Sequence, residues 1–415
     1  MTDDEPKRST TPGPLHNTGF RWFFLGRVVS LAGSSMAPVA LAFAVLDATH
    51  SAGALGLILA ARSVPMLLFL LVGGVVADRF SRRTVLLVSN SGAALSQGLA
   101  ATLFISGNFH LGAIVALEFV NGTLTAFTSP ALRGIVPQLV DADQRQRANS
   151  LLGSSKNLVS IVGPSVAGGV VVAFGGGWAM GIDAVSYLIA AFCLAKVRMP
   201  EQVTKSSQAF FRELRDGWTA FRSMTWVCVV VLAFAATNCI YVGVWSVLGP
   251  TIASTSVGAV FWGVVLSARA AGMLVATAAM YRVKRARSLS AGLLCYATGA
   301  LPMIVLGLHG NAALLTGVAF VAGVGLGIMA ITWETSLQDH VPNKMLSRIA
   351  AYDDLVSYAA IPIGQLSVAP LAGAFGETQA MVVGGMMFAL IATVPIFSRA
   401  VRHPQGPVST SVELR

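Results

Sequence analysis

The stretch Gly73-Gly74-Val75-Val76-Ala77-Asp78-Arg79-Phe80-Ser81-Arg82-Arg83 joins two apolar runs, residues 52–77 and 84–106, the first holding one charge and the second none. About 20 apolar residues in a helix rise about 30 Å, the thickness of the hydrocarbon core of a bilayer. The stretch therefore reads as a short basic turn between two membrane-crossing helices. Lys and Arg in short loops are retained on the cytoplasmic side during insertion, so this turn is expected to face the cytoplasm.

The same pattern runs the length of the chain. Of its 415 residues 55% are hydrophobic and 11% charged, less than half the charge of an ordinary soluble domain, about 25%, which excludes a soluble protein. Twelve apolar segments can be drawn, near 20–46, 52–77, 84–106, 110–133, 151–174, 178–196, 225–248, 257–281, 288–308, 311–334, 351–374 and 378–398. Twenty-four of the 28 basic residues lie in the two tails and every second loop. The alternate loops, around His50, Asn108, Gly176, Ser254, Gly310 and Gly376, hold none, and Arg27, Arg62, Lys156 and Arg269 fall inside segments. One missed span would have mixed the two sets. The partition predicts a multi-pass protein of the inner (cytoplasmic) membrane with both termini in the cytoplasm.

The net charge of +10 thus records topology, and no nucleic-acid partner is expected, since that would need the charges on one face. Cys193, Cys228, Cys239 and Cys295 lie in apolar segments without a CxxC pair; unpaired thiols and no metal site are expected. Residues 1–18 carry Asp3, Asp4 and Glu5 and lack the basic-then-apolar pattern of a cleaved signal peptide.

The expected organisation is a cytoplasmic tail (1–19), a six-helix bundle (20–198), a cytoplasmic linker (199–224), a second six-helix bundle (225–398) and a second tail (399–415). In the linker Phe210, Phe211, Leu214, Trp218 and Phe221 recur at helical spacing among charges, as in a helix lying in the membrane interface. The halves align with each other. Gly56-x-x-Leu59-x-Ala61-Arg62 recurs as Gly263-x-x-Leu266-x-Ala268-Arg269, Gly122 aligns with Gly327 at an offset of 205, and Gly163 and Ala173-Phe174-Gly175 align with Gly364 and Ala374-Phe375-Gly376 at 201.

The quoted turn resembles the signature G-x-x-x-D-R-x-G-R-R between the second and third helices of the major facilitator superfamily, with Ser81 in place of a glycine. Twelve spans, a central loop and two similar halves extend the resemblance over nearly the whole chain. It implies an all-α integral membrane fold of two pseudo-symmetric six-helix bundles, and a conformational latch between halves made by Gly74, Asp78, Arg79, Arg82 and Arg83. Gly163-Pro164-Ser165-Val166-Ala167-Gly168-Gly169 resembles the exporters' G-P-x-x-G-G motif, with Gly163, Pro164 and Gly168 matching. Drug–proton antiporters carry R-x-x-Q-G in the fourth helix; here Glu118-Phe119-Val120-Asn121-Gly122 puts an acid in the arginine's place. Phe127-Thr128-Ser129-Pro130-Ala131 and Ala148-Asn149-Ser150 look more like the branch of enterobactin exporters and macrolide efflux pumps, the transmembrane secretion effectors.

Ionisable groups in hydrocarbon are costly and are functional candidates by default. Arg62 and Glu118 lie at similar depth and can pair. Paired, Glu118 stays charged; without a partner a buried carboxyl favours its neutral form and can carry a proton. Arg269, at the duplicated position, could bind an anionic substrate group, and Asp183, near the outer end of its helix, reads first as a cap or interfacial residue. Met36, Phe119, Phe127, Trp245, Met329 and Trp333 would suit a cavity for bulky amphipathic compounds.

The resulting expectation is a secondary transporter that exports small amphipathic organic compounds, a drug, a secondary metabolite or a siderophore, with protons as coupling ion. It would act as a monomer without cofactor. Import of a small metabolite is the alternative. There is no Walker A motif for an ATP-driven pump, and an integral-membrane enzyme would need a catalytic motif, of which H-E-x-x-H and G-x-S-x-G are both missing. The topology has a direct check: cysteines placed at Asn108 or Gly310 should react with impermeant thiol reagents added outside, and those at Ser81 or Gln208 should not. The reverse pattern would invert the orientation.

Overall fold

Hydrocarbon offers no hydrogen-bond partner, so a spanning segment must satisfy its own backbone, and a helix does so within one segment. A computed structural model describes residues 13–69, 80–133, 135–141, 143–197, 218–282 and 288–403, and among these every regular element is helical. The first half comprises α1 (Thr18–Thr49), α2 (Ala52–Leu68), α3 (Arg82–Ile105), α4 (Leu111–Arg133), α5 (Arg145–Phe174) and α6 (Gly176–Ala195). The second comprises α7 (Thr225–Ser256), α8 (Gly258–Arg282), α9 (Leu289–Gly307), α10 (Ala312–His340), α11 (Asn343–Ala359 continued by Ile361–Phe375) and α12 (Glu377–Phe397). Ten of these are long and apolar enough to cross a membrane. The remaining two are α2, whose description stops at Phe69, and α3, whose apolar character is diluted by Ser89, Asn90, Ser96 and Gln97.

Packing follows a pseudo-twofold. In the first half α1 packs on α5 and α6, α2 on α4, and α3 on α4 and α6; in the second α7 packs on α11 and α12, α8 on α10, and α9 on α10 and α12. The halves meet where α5 crosses α8 and where α11 crosses α2. Matched caps mark the repeat. Ser81 accepts from the Thr84 amide at the start of α3 and Ser288 from the Ala291 amide at the start of α9, at 3.1 and 3.3 Å. Gly175 and Gly376, which turn the chain into α6 and α12, have φ of 90° and 89°, a region open to glycine but strained for other residues.

The structure corrects the alignment of the halves at one point. Gly122 of α4 lies against the Arg62 carbonyl of α2, and a methyl there would come within 2.8 Å of the carbonyl carbon; Gly323 of α10 stands in the same relation to Arg269 of α8, also at 2.8 Å. The partner of Gly122 is therefore Gly323, at the offset of 201 that also holds from α5 to α6, and not Gly327. The register shifts at α9, which has 19 residues against 24 in α3 and contains a 3-10 turn at Thr298–Ala300.

Contacts between the halves gather toward one end of the molecule. Gly56 lies against the Gln365 carbonyl and Gly263 against the Pro164 carbonyl, while a methyl on Gly168 would reach within 2.5 Å of the Ala259 carbonyl. The hydroxyls of Ser165 and Ser267 share a hydrogen bond of 2.7 Å. All these positions belong to the ends of α2, α5, α8 and α11 nearest the turns at 49–52, 174–176, 256–258 and 375–377. Filling a backbone-tight crossing should cost about 1–3 kcal/mol. Gly122→Val and Gly323→Val should each lower the unfolding midpoint of the detergent-solubilised protein by several degrees, whereas Gly169→Ala, where nothing lies within 4 Å of the added carbon, should not.

Candidate functional site

Two sites lie at the depth of the buried charges. The first is inside the N-terminal half. Arg62 Nη1 of α2 is 3.7 Å from Glu118 Oε2 of α4, and the Glu118 side chain is 1% exposed. From α3, Gln97 Nε2 donates to Glu118 Oε1 at 3.4 Å, and one turn on, Asn121 Nδ2 donates to Ser96 Oγ at 3.4 Å. Asp183 of α6 is 1% exposed; its Oδ1 accepts from Ser34 of α1 at 3.4 Å and from Ser186 at 3.5 Å. Ser34 is also 3.0 Å from the Tyr187 hydroxyl. Ser34 and Tyr187 line the same cavity as Arg62, and the bond from Ser34 brings Asp183 to this cluster. Glu118 Oε2 and Asp183 Oδ2 each have no hydrogen-bond donor among the described residues. This placement corrects the expectation for Asp183, which sits two turns inside the bundle on a polar cluster and does not cap a helix.

Beside the cluster is a cavity of about 210 Å³, lined by Arg27, Ser30, Ser34, Arg62, Ser89, Asn90, Thr125, Thr128 and Tyr187 with apolar residues toward its far end. Its polar wall and volume suit several water molecules. Arg27, one of the four basic residues inside the apolar segments, is part of that wall.

The second site lies between the halves. A cavity of about 330 Å³ is lined from α1 by Ser35 and Pro38, from α5 by Ser160 and Pro164, from α7 by Tyr241, Trp245, Ser246 and Pro250, and from α8 by Trp262, Leu266, Arg269, Ala270 and Met273. The Arg269 guanidinium stands 4.7 Å from the Tyr241 ring centre, and the Trp245 and Trp262 rings are 4.7 Å apart. Residues Tyr241–Leu248 form a π-helical stretch within α7. It ends two residues before Pro250, whose ring would clash with the Ser246 carbonyl in a regular helix, and such widened turns often accompany functional sites.

The other candidates are dispersed. Trp245 is on the wall of the cavity between halves, but Met36, Met329 and Trp333 are 6%, 2% and 7% exposed and pack in the interior. Trp333 is held there because its indole donates to Asp353 Oδ2 at 2.7 Å and its ring meets Trp226 and Phe234. Phe127 packs on Phe69, and Phe119, 43% exposed, lines neither cavity. Gly163 packs on Ser35 of α1, while Pro164 and Gly168 meet α8. Gly74, Asp78 and Arg79 lie outside the described residues, as does the linker up to residue 217. Arg83 closes the end of α6: its Nη2 donates to the Ala195 carbonyl at 2.7 Å and its Nε to that of Leu194 at 3.3 Å, a favourable site for a cation at a helix C-terminus. Arg82 Nε is buried without a partner among the described residues.

Comparison with known proteins accords with this architecture. The family model described as transmembrane secretion effector matches residues 9–408. The chain belongs to that family, within the major facilitator superfamily. It is 25% identical over 388 residues to the multidrug efflux pump Tap of Mycolicibacterium fortuitum, covering 90% of this chain and 93% of that one. It is 25% identical over 206 residues to macrolide efflux protein A of Streptococcus pyogenes, about half of either chain (49% and 51%), and 30% identical over 172 residues to the enterobactin exporter EntS of Citrobacter koseri, 41% of each. Among solved structures the nucleoside transporter NupG superposes with a TM-score of 0.74 at 11% identity, covering 91% of this chain and 98% of that one. A POT family transporter superposes with 0.71 at 13%, covering 91% and 95%. These likenesses establish the fold. The protein is a multi-pass membrane transporter acting on small molecules, and its family are transporters, not enzymes.

The buried pair has a consequence for stability. Removing one partner strands the other in low dielectric at a cost of about 3–5 kcal/mol, while replacing both with apolar residues of similar volume is often neutral. Arg62→Met should therefore lower the unfolding midpoint markedly, and Arg62→Met with Glu118→Met should recover most of the loss.

Proposed function

We propose that the protein exports small amphipathic organic compounds across the cytoplasmic membrane by alternating access, driven by proton entry. The observation that carries the coupling is the cluster of Glu118 and Asp183 around Arg62. Two buried carboxyls with one adjacent cation reach neutrality by taking up one proton, and each has an oxygen free to accept it. A buried acid whose neutral form is favoured in a low dielectric can load and release that proton as the site is exposed to one side and then the other.

The direction is supported by the chain's similarity to proteins named efflux pump and exporter, and by the helix-5 motif at the crossing with α8. Loop charges favour cytoplasmic termini. In that orientation the glycine crossings between the halves lie toward the outer ends of their helices. The aromatic wall of the cavity between halves suits amphipathic compounds. Transport would be reciprocal in the usual sense: substrate and proton each bias the same two states.

The reading is tested by accumulation of drugs and metabolites in cells with and without the protein and with and without a protonophore; expression should lower accumulation of its substrates, and the protonophore should abolish the difference. In proteoliposomes Glu118→Gln should still bind substrate but lose transport driven by a pH gradient. Full gradient-driven accumulation by Glu118→Gln would remove Glu118 from the coupling and leave Asp183 as the acid to examine.

A further inference from the structure

The pseudo-twofold assigns a partner to every residue of the N-terminal cluster. Arg62 corresponds to Arg269, and the offset of 201 fixed by Gly122 with Gly323 and Gly175 with Gly376 pairs Glu118 with Ala319, Asp183 with Gly384 and Tyr187 with Phe388. The second half has therefore kept the arginine and holds no acid at either counter-ion position. Ala319 is fully buried, and Gly384 packs directly on Val244 of α7, so no carboxylate reaches Arg269 from these places. A guanidinium in such surroundings is stable only with an anion or dense hydrogen bonding.

We propose that Arg269 is the recognition site for an acidic group on an aromatic substrate, with Tyr241 and Trp245 as its companions. Arg269, Tyr241 and Trp245 line this part of the cavity, and Arg269 Nε, the Tyr241 hydroxyl and Trp245 Nε1 are each buried without an acceptor among the described residues. A guanidinium whose own Nε is unmet, with two further unmet donors on neighbouring lining residues, suits oxygen acceptors bearing negative charge, since charge-assisted bonds of this kind are the strong ones. Trp245 and Trp262, each 2% exposed, also line the cavity with their rings tilted against each other, and supply aromatic surface against which a ring would lie. The volume of about 330 Å³ is at the lower end of small-ligand pockets, about 300–1,000 Å³, which fits one or two fused rings. The ligand class that answers all three features is an aromatic carboxylate or a comparable aromatic oxyanion.

This assignment rests on the cavity between the halves being the transport site, and binding can be measured apart from transport. The purified full chain in lipid nanodiscs is titrated by calorimetry with 2-naphthoate, its neutral counterpart 2-naphthylmethanol and the cation 2-naphthylmethylammonium. The carboxylate should bind about tenfold or more tightly than the alcohol, the size of one charge-assisted hydrogen bond, and the cation more weakly than either. Arg269→Gln should abolish the preference, and Tyr241→Phe should reduce it a few-fold. Ala319→Glu, which rebuilds the N-terminal pairing and leaves Arg269 in place, should abolish it as well, so the test survives if Arg269→Gln does not fold. Equal affinity for the three probes, or a preference intact in Arg269→Gln or Ala319→Glu, would overturn the proposal. Anion-selective binding without export of 2-naphthoate from cells would support this site and count against the export reading. Export of amphipathic compounds without any anion preference in binding would do the opposite.

Discussion

The structure depends on how closely the backbones of the two halves approach. Lipid provides no hydrophobic drive for one apolar helix to leave it for another, so helices associate by van der Waals packing where small residues let backbones touch. Gly56 on the Gln365 carbonyl and Gly263 on the Pro164 carbonyl are such points, and the repeat makes them equivalent. With Gly168 on Ala259 they hold α2 to α11 and α5 to α8 at one end, and the cavity lined by Arg269 lies between the halves beside the crossing of α5 and α8, sharing Pro164 with it. An alternating-access cycle needs contacts that are specific yet breakable. A crossing made of glycine against a carbonyl has that character, because it carries little side-chain area and no buried ion pair.

Duplication of one bundle gives two arginines at equivalent depth in different company. In the first half Arg62 is paired with Glu118 of α4, and Asp183 of α6 joins the cluster through Ser34; in the second those positions are Ala319 and Gly384. An arginine cannot lose its proton inside a protein, so its charge must be met by something. The first half meets it internally and thereby acquires groups that can titrate. The second leaves it facing a cavity. Under the proposed function, a division of labour between coupling and binding would follow from two substitutions on one scaffold.

Much of this architecture was legible in the sequence because the bilayer is a strict filter. Spans, loop charge and the fold follow from segment length and the sorting of Lys and Arg, and among the described residues the segments match the helices to within a few residues, except where α1, α5, α7, α10 and α11 run further and α7 widens before Pro250; the segment 52–77 is described only to Phe69. The Arg62–Glu118 pair was readable from depth alone. Asp183 was misplaced because distance from a helix end says nothing of which face a residue takes; its inward direction is set by Gly33, which lets α1 and α6 close around it. Tyr187 and Tyr241 carry no motif and stand out only once helices are rotated against each other. The aromatic candidates show the same limit, since Trp245 faces the cavity and Trp333 is drawn into the core by Asp353.

Two adjacent residues of α1 join the sites. Ser34 bonds to Asp183 and lies 3.0 Å from Tyr187 in the N-terminal cluster, whereas Ser35 lines the cavity between halves and packs on Gly163 of α5. Successive residues of a helix point about 100° apart, at 3.6 residues per turn, so one turn of α1 faces both the titratable groups and the binding cavity. Gly163 is followed directly by Pro164, whose carbonyl forms the crossing with Gly263 of α8, six residues before Arg269. A change of proton occupancy that alters the Ser34 contacts would therefore be felt, through one turn of α1 and one turn of α5, at the crossing that holds the halves together. On the proposed coupling the path would be short, because the close packing of Gly163 on the Ser35 side chain and of Gly263 on the Pro164 carbonyl leaves α1 and α5 little slack to absorb a movement.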